Sequence, residues 1–205
     1  MVTNVVDREK GTRERLLAAA GELVHAYSYR SVGVQAICEM AQVKKGSFYH
    51  FFASKQALML AVLDENWEAF KTLALDPIFR TETQPRDRIS GLFEFAYTSH
   101  TEIRRQTGHV RGCPFGSLAA EASTLDDPLR ARLLVVFEDW TAYLRDALAD
   151  AQVSGELREG IDVDATAWGL LSCLQGLLLV SKTANDTAII PRVLEEIMTH
   201  LWNTD

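Results

Sequence analysis

The amino-acid sequence predicts an all-α protein of about nine helices, on three observations. Apolar residues recur at i, i+3, i+4 and i+7 through most of the chain, the period of one helix face. Only 5 of the 205 residues are proline, while alanine, leucine and glutamate are plentiful. No stretch shows the two-residue alternation of a half-buried strand, and no internal repeat is visible. At 47% hydrophobic and 24% charged, the chain has the composition of a folded globular protein.

Each element follows from its own pattern. Leu16, Leu17, Ala20, Leu23, Val24 and Tyr27 mark a first helix over 12–27, with Thr12 as its N-cap. Ser28–Gly33 breaks the pattern. Val34, Ile37, Cys38 and Ala41 then mark one face of a short second helix. A tight connection over 41–44 leads to a third helix at about 45–51, where Phe48 and Phe52, spaced i, i+4, point to the core. Ser54 is placed to cap a long fourth helix over roughly 55–75, through Leu58, Leu60, Ala61, Leu63, Trp67 and Phe70.

Residues 76–87, with Pro77 and Pro85, read as a corner. A fifth helix over 86–106 carries Ile89, Leu92, Phe93, Phe95, Ala96 and Tyr97. TGHVRGCP, 107–114, is a loop, followed by a short sixth helix at 115–123. Asp127-Pro128 opens a seventh helix running to about 153 through Leu129, Leu133, Val136, Phe137, Trp140, Leu144 and Leu148. Gly155 and Gly160 punctuate the gap before an eighth helix over 163–184. A ninth, over 188–203, has Ile190, Val193, Leu194, Ile197, Met198 and Leu201 on one side.

Several classes are disfavoured. Cys38, Cys113 and Cys173 are an odd count without framework spacing, and no N-terminal apolar run resembles a secretion signal. A cytoplasmic, reducing setting is expected. The most apolar run, 165–180, falls short of the ~20 residues that span a bilayer. It contains Thr166, Ser172 and Gln175, so it reads as a buried helix and no membrane partner is expected. His25, His100, His109 and His200 show no metal-ligand spacing, so neither metal nor cofactor is expected. An enzyme with Cys113 as nucleophile and His109 or His100 as base lacks a visible orienting acid.

The net charge of −7 argues at first against a polyanionic partner. Its distribution reverses that. Residues 1–55 carry eight basic residues (Arg8, Lys10, Arg13, Arg15, Arg30, Lys44, Lys45, Lys55) and five acids, +3, which leaves −10 for the remainder. A mildly basic N-terminal unit is joined to an acidic body.

VKKGSFYHFFASKQAL, residues 43–58, gives the basic end its chemistry. The second helix, a short turn and the third helix form a helix-turn-helix candidate. A helix fits the major groove of DNA, and the preceding helix braces it. Lys44 and Lys45 sit where they would neutralise phosphates or donate to guanine edges. Gly46 allows close backbone approach. Tyr49 and His50 cannot share the Phe48/Phe52 face and project outward. Lys55 opens the fourth helix, where its charge and the helix amides suit a phosphate.

Residues 12–63 resemble the DNA-binding domain of the tetracycline-repressor (TetR) family of bacterial regulators, and the Val43–Lys55 core carries the resemblance. It implies an N-terminal three-helix helix-turn-helix domain, 1–55, and a C-terminal helical domain, 56–205, that binds an effector and dimerises. It implies base or groove contacts for Gln35, Lys45, Gly46, Tyr49 and His50, and phosphate contacts for Lys44, Ser47, Tyr49 and Lys55. One departure stands out: Gly33-Val34 occupies the place where many members have a phosphate-contacting Ser or Thr.

The same resemblance implies partners: double-stranded DNA with a pseudo-palindromic operator, a small-molecule effector and a second copy of the chain. Leu174, Leu177, Leu178, Val193, Leu194, Ile197 and Leu201, on the last two helices, are expected at the dimer interface. Trp67, Phe70, Phe93, Tyr97, Phe115, Phe137, Trp140 and Trp168 are candidates for an apolar or aromatic effector pocket. Each also fits ordinary core packing. RGCPFGSLAAE, 111–121, places Cys113 beside Arg111, near His109 and just before the sixth helix, an arrangement that would raise thiolate content. Cys113 is therefore either a redox or electrophile sensor or a loop cysteine packed under that helix, and Lys182 is a conceivable charge partner. The reading is a one-component regulator, most naturally a repressor, and not an enzyme; the other alternative, a helical small-molecule-binding protein whose DNA domain has lost function, is disfavoured by the intact Lys45–Lys55 segment.

Overall fold

The computed structural model describes residues 11–203, so Arg8 and Lys10 of the basic N-terminal stretch lie outside the described residues. Among the described residues there are nine principal helices: α1 Thr12–Ala26, α2 Val34–Met40, α3 Lys45–Phe51, α4 Lys55–Phe70, α5 Pro85–Thr107, α6 Pro114–Ala122, α7 Asp127–Val153, α8 Val163–Ala184 and α9 Ile189–Leu201. The expected helix to residue 75 is more complex. After Phe70 the chain passes through a π-helical stretch, Lys71–Leu75, into one further turn, Asp76–Ile78. An inserted π turn leaves no mark in apolar spacing.

The cap of α1 differs from expectation, and that of α7 lies one residue before Asp127. Gly11, in extended conformation, is the N-cap of α1, while Thr12 Oγ1 accepts from Arg15 Nη2. Before α7 the capping carboxylate belongs to Asp126, which accepts from the Leu129 amide at 3.1 Å. Ser54 caps as expected, its Oγ accepting from the Ala57 amide at 3.0 Å.

The chain forms two compact units. The first takes in the described residues up to Glu68 together with Pro114–Val135, so the expected boundary after residue 55 falls inside it. Its core joins Leu16, Leu17 and Ala20 of α1, Ile37 and Cys38 of α2, Phe48 of α3, Leu58, Val62, Leu63 and Trp67 of α4, and Phe115, Leu118 and Ala122 of α6. Burying each large apolar side chain of this set contributes about 1.5–3 kcal/mol before entropy is counted. Trp67 and Phe115 meet edge to face, with ring centroids 5.8 Å apart.

The turn between α2 and α3 explains the geometry of the pair. Gln42 adopts a left-handed φ of 55°. Its amide bonds the Glu39 carbonyl at 3.1 Å, and the Val43 amide bonds the Cys38 carbonyl at 3.0 Å. That paired closure ends a helix abruptly and releases the chain at a fixed angle. Arg15 of α1 braces it by donating to the Ala41 carbonyl at 3.2 Å.

The second unit holds Ala69–Cys113 and the described residues from Val136 onward. Arg88 is only 5% exposed, and each of its three nitrogens donates a hydrogen bond. It donates to the Thr83 and Thr81 carbonyls, both at 2.8 Å, and to Asp150 at 2.5 Å. The chain beyond α9 returns to the α7–α8 loop. Leu157 and Trp202 form an antiparallel bridge, Arg158 donates to the Trp202 and Thr199 carbonyls, and Asn203 donates to the Gly155 carbonyl.

Among the described residues α8 is the one helix long and apolar enough to cross a membrane. Its placement explains that composition. Ala167, Leu170, Leu171, Leu174, Leu177, Leu178 and Ser181 form an inner buried stripe. Asp162 caps its start by accepting from the Ala165 amide at 3.0 Å.

Candidate nucleic-acid interface and effector region

The two faces of α3 divide as its sequence requires. Phe48 is fully buried, Phe52 is buried just beyond the helix, and their rings lie 6.2 Å apart. Outside stand Lys44, Lys45, Gly46, Tyr49 and His50, with Ser47 half-buried. Tyr49 is 53% exposed, yet its ring edge rests on Phe48 at 5.1 Å, which aims the hydroxyl without covering it. Phe51 is exposed as well and packs edge to face with His50 at 4.9 Å.

Neither Gly46 nor Gly33 is demanded by the chain's own packing, because a Cβ at either would meet nothing within 4 Å. Gly33 is the extended N-cap of α2 and supplies no capping side chain. Gln35 is exposed, but its amide donates to Glu39 at 2.8 Å, one turn along α2. Burial pushes the Cys38 thiol up, as befits a small core residue.

Lys55 departs from its expected place. Its ammonium donates to the Tyr29 carbonyl at 2.8 Å and the Val32 carbonyl at 3.0 Å, and lies 4.3 Å from the centre of the Tyr29 ring. Two of its three N–H groups are thus spent inside the protein, and burial lowers its pKa. Lys55 is a strut between the start of α4 and the α1–α2 loop.

The candidate effector residues separate between the units. Trp67 and Phe115 are core partners in the first. In the second, Phe70 lies 4.8 Å from Trp140 and 6.0 Å from Phe95, and Phe79 pairs with Tyr143 at 5.5 Å. Phe93 is fully buried, Phe137 half-buried and Tyr97 partly exposed. Trp168, at 39% exposure, stands on the outer face of α8.

Cys113 is 7% exposed, and no disulfide joins the three cysteines. Its loop is fixed by Asn185, the left-handed C-cap of α8. The Asn185 side chain accepts from the Val110 amide at 2.8 Å and donates to the Gly108 carbonyl at 3.1 Å. Gly112, at φ 74°, lies so close to α8 that a Cβ would stand 3.3 Å from Lys182 Cδ and 3.5 Å from the Leu178 carbonyl oxygen. The positive φ is what favours glycine there.

The expected interface residues differ in burial. Leu174, Leu177, Leu178, Leu194 and Leu201 are buried within one chain and line its own core. Val193 and Ile197 are half-buried. The apolar face that remains outside is the opposite side of α8: Trp168, Gly169, Ser172, Gly176, Leu179, Val180 and Thr183. These residues recur every three to four positions.

A braced short helix that buries two aromatics and turns two lysines, a tyrosine and a histidine outward is the reading element of a helix-turn-helix DNA-binding protein. Residues 16–62 match the family of bacterial regulatory proteins of the tetR type, and residues 85–197 match the tetracyclin repressor-like C-terminal domain. The transcriptional regulator AcuR of Cereibacter sphaeroides is 33% identical over 170 residues, covering 82% of this chain and 75% of AcuR. A TetR regulatory protein from Rhodobacter sphaeroides has a similar structure, with 30% identity, a TM-score of 0.81, and coverage of 93% of this chain and 98% of that one. So does the Escherichia coli transcriptional repressor NemR in its reduced form, with 26% identity, a TM-score of 0.81, and coverage of 94% and 98%. The chain belongs to the tetracycline-repressor family: it is a ligand-responsive, DNA-binding regulator of transcription.

Proposed function

We propose that the protein is a one-component repressor that binds a pseudo-palindromic operator as a homodimer and is released by a small apolar or aromatic effector. The outward face of α3, Lys44, Lys45, Gly46, Ser47, Tyr49 and His50, is the observation that carries this reading. The lysines serve phosphates and guanine edges, and Tyr49 and His50 enter the groove. Gln35 joins them from α2 once it exchanges Glu39 for DNA.

Two copies pair through the outer face of α8. There Gly169 and Gly176 let the helices approach closely, while Trp168, Leu179 and Val180 supply apolar area. A two-fold dimer repeats α3 at about one DNA turn, which makes the operator an inverted repeat. The aromatic cluster Phe70, Phe95 and Trp140 supports an apolar effector in the second unit, and cytoplasmic residence follows from the reading. Effector binding shifts the population toward a state unfit for DNA by no more than its differential affinity for the two states.

Selection of bound sequences from random DNA at moderate salt, with size exclusion of the complexes, tests this. An enriched inverted repeat bound by dimers is expected. Absence of enrichment refutes it.

A second reading is favoured by the Cys113 loop, which Asn185 pins and Gly112 lays against Lys182. In it, oxidants or electrophiles act through Cys113, and likeness to a structure of NemR in a reduced form is consistent with this. Cys113→Ser should then abolish the loss of operator binding caused by peroxide. A retained response ends the reading.

A further inference from the structure

We propose that Glu121 is a positioning residue for DNA recognition, fixing the loop from which α2 starts without touching DNA. This rests on the reading of the chain as an operator-binding regulator.

Glu121 lies near the C-terminal end of α6. Its carboxylate accepts from two consecutive backbone amides of the α1–α2 loop, Tyr29 at 2.8 Å and Arg30 at 2.7 Å, across more than ninety residues of sequence. Asp126, in the α6–α7 turn, completes the grip. It accepts from the Tyr29 hydroxyl at 3.1 Å, from the Gln56 amide at 3.0 Å and from the Leu129 amide. From the other side Lys55 holds the carbonyls of Tyr29 and Val32. Amides are thus fixed by α6 and carbonyls by α4, and the loop is clamped between them. The Tyr29 phenol is pushed up to about 12 by burial and by the charges of Asp126 and Glu121.

The clamp matters because α2 begins directly after it. Gly33 caps α2 without a side chain, so no capping side chain fixes the first turn of α2, and the loop backbone shares with the buried Ile37 and Cys38 the work of placing it. Once that start is set, the Gln42 turn sets α3. Glu121 therefore acts on the reading helix through the loop and α2.

Electrostatics predicts the opposite sign, which makes the idea testable. Glu121 places a negative charge in the unit that must approach a polyanion. If charge were all, neutralising it would strengthen binding to any DNA. If Glu121 positions the loop, neutralising it weakens sequence-specific binding, while sequence-independent binding holds or rises. Gln at this position offers one acceptor oxygen to two amides and turns an NH₂ toward the other.

The experiment compares full-length wild type, Glu121→Gln and Glu121→Ala. The probes are an inverted-repeat duplex recovered by selection and a scrambled duplex of equal length and composition. We expect both variants to lose about tenfold or more on the selected duplex, with the scrambled duplex bound as well as by wild type or better. Wild-type affinity of both variants for the selected duplex overturns the proposal while leaving the regulator reading intact. An equal loss on both duplexes makes Glu121 a general stability residue and also overturns it. Failure to recover any duplex overturns the regulator reading and this proposal with it. Should the variants not fold, amide exchange in the wild type decides. Protection of the Tyr29 and Arg30 amides comparable to that of α1 supports the clamp, and exchange at loop rates refutes it.

Discussion

Replacing Lys55 by methionine separates a strut from a phosphate ligand. Methionine keeps an unbranched apolar stem and deletes the ammonium. The structure assigns that ammonium two carbonyl partners, at 2.8 and 3.0 Å, and a tyrosine ring at 4.3 Å. Hydrogen bonds made by a charged group contribute about 1.5–3 kcal/mol each, and a partly buried cation–π contact about 0.5–2. Against these stands the recovered cost of desolvating the ammonium, the same burial that lowers its pKa. A net destabilisation of about 2–4 kcal/mol remains, enough to lower Tm by on the order of 5–15 °C in a chain of this size. The assay is thermal and urea unfolding at one protein concentration, since dimerisation couples stability to concentration. The second readout is the slope of operator affinity against log salt at a temperature where both proteins are folded. A phosphate contact on each subunit would remove about 2 from that slope, whereas a strut leaves it unchanged. Lys55→Met with wild-type Tm and a slope reduced by about 2 refutes the reasoning.

Three further outcomes are expected. Tyr49→Ala, at a half-exposed position resting on Phe48, should weaken operator binding at least tenfold and leave the dimer intact by size exclusion; unchanged affinity removes Tyr49 from the interface. Leu179→Glu, at a residue 65% exposed on the outer face of α8, should yield folded monomers in light scattering; a surviving dimer places the interface elsewhere. Tyr29→Phe should alter alkaline unfolding. The folded phenol, near 12, lies above its unfolded value of 10.0, so its contribution is present below pH 10 and lost as pH rises through 12. The stability gap between wild type and Tyr29→Phe should narrow over that window, and a gap constant from pH 9 to 12 contradicts the assignment.

The helices were legible because each is either long and amphipathic or closed by a recognisable turn. α3 and α8 have the bounds that spacing predicts, 45–51 and 163–184. The inward Phe48 and Phe52 and the outward Tyr49 follow from a period of 3.6. Periodicity fails on a helix that is apolar all round. On α8 the bulky Leu174, Leu177 and Leu178 suggest an outer seam, yet they are buried in the chain's own core, while the outer face mixes Gly169, Ser172 and Gly176 with Trp168, Leu179 and Val180. The small residues Gly169, Ser172 and Gly176, spaced at three and four, mark that exposed side. Glu121, Asn185 and Arg88 could not be read ahead, because their partners are backbone groups or a carboxylate brought near only by the fold. Lys55 shows the limit of a motif. A pattern gives the residue type at a position, whereas the direction of its ammonium depends on carbonyls more than twenty residues upstream.

The division of the first unit into two sequence segments, residues up to Glu68 and Pro114–Val135, governs how this protein can be made. On the ribosome, the helix-turn-helix emerges some sixty residues before α6 does. Until α6 arrives, Trp67 has no Phe115 to cover it and the Tyr29 and Arg30 amides have no carboxylate. Domains generally fold as units during synthesis, so this one waits on sequence that first passes through forty-five residues of the other. A gene fragment ending at residue 55 or 68 would encode the reading helix without the support that α6 supplies. A chimera that exchanges DNA specificity between relatives would have to carry both segments across together.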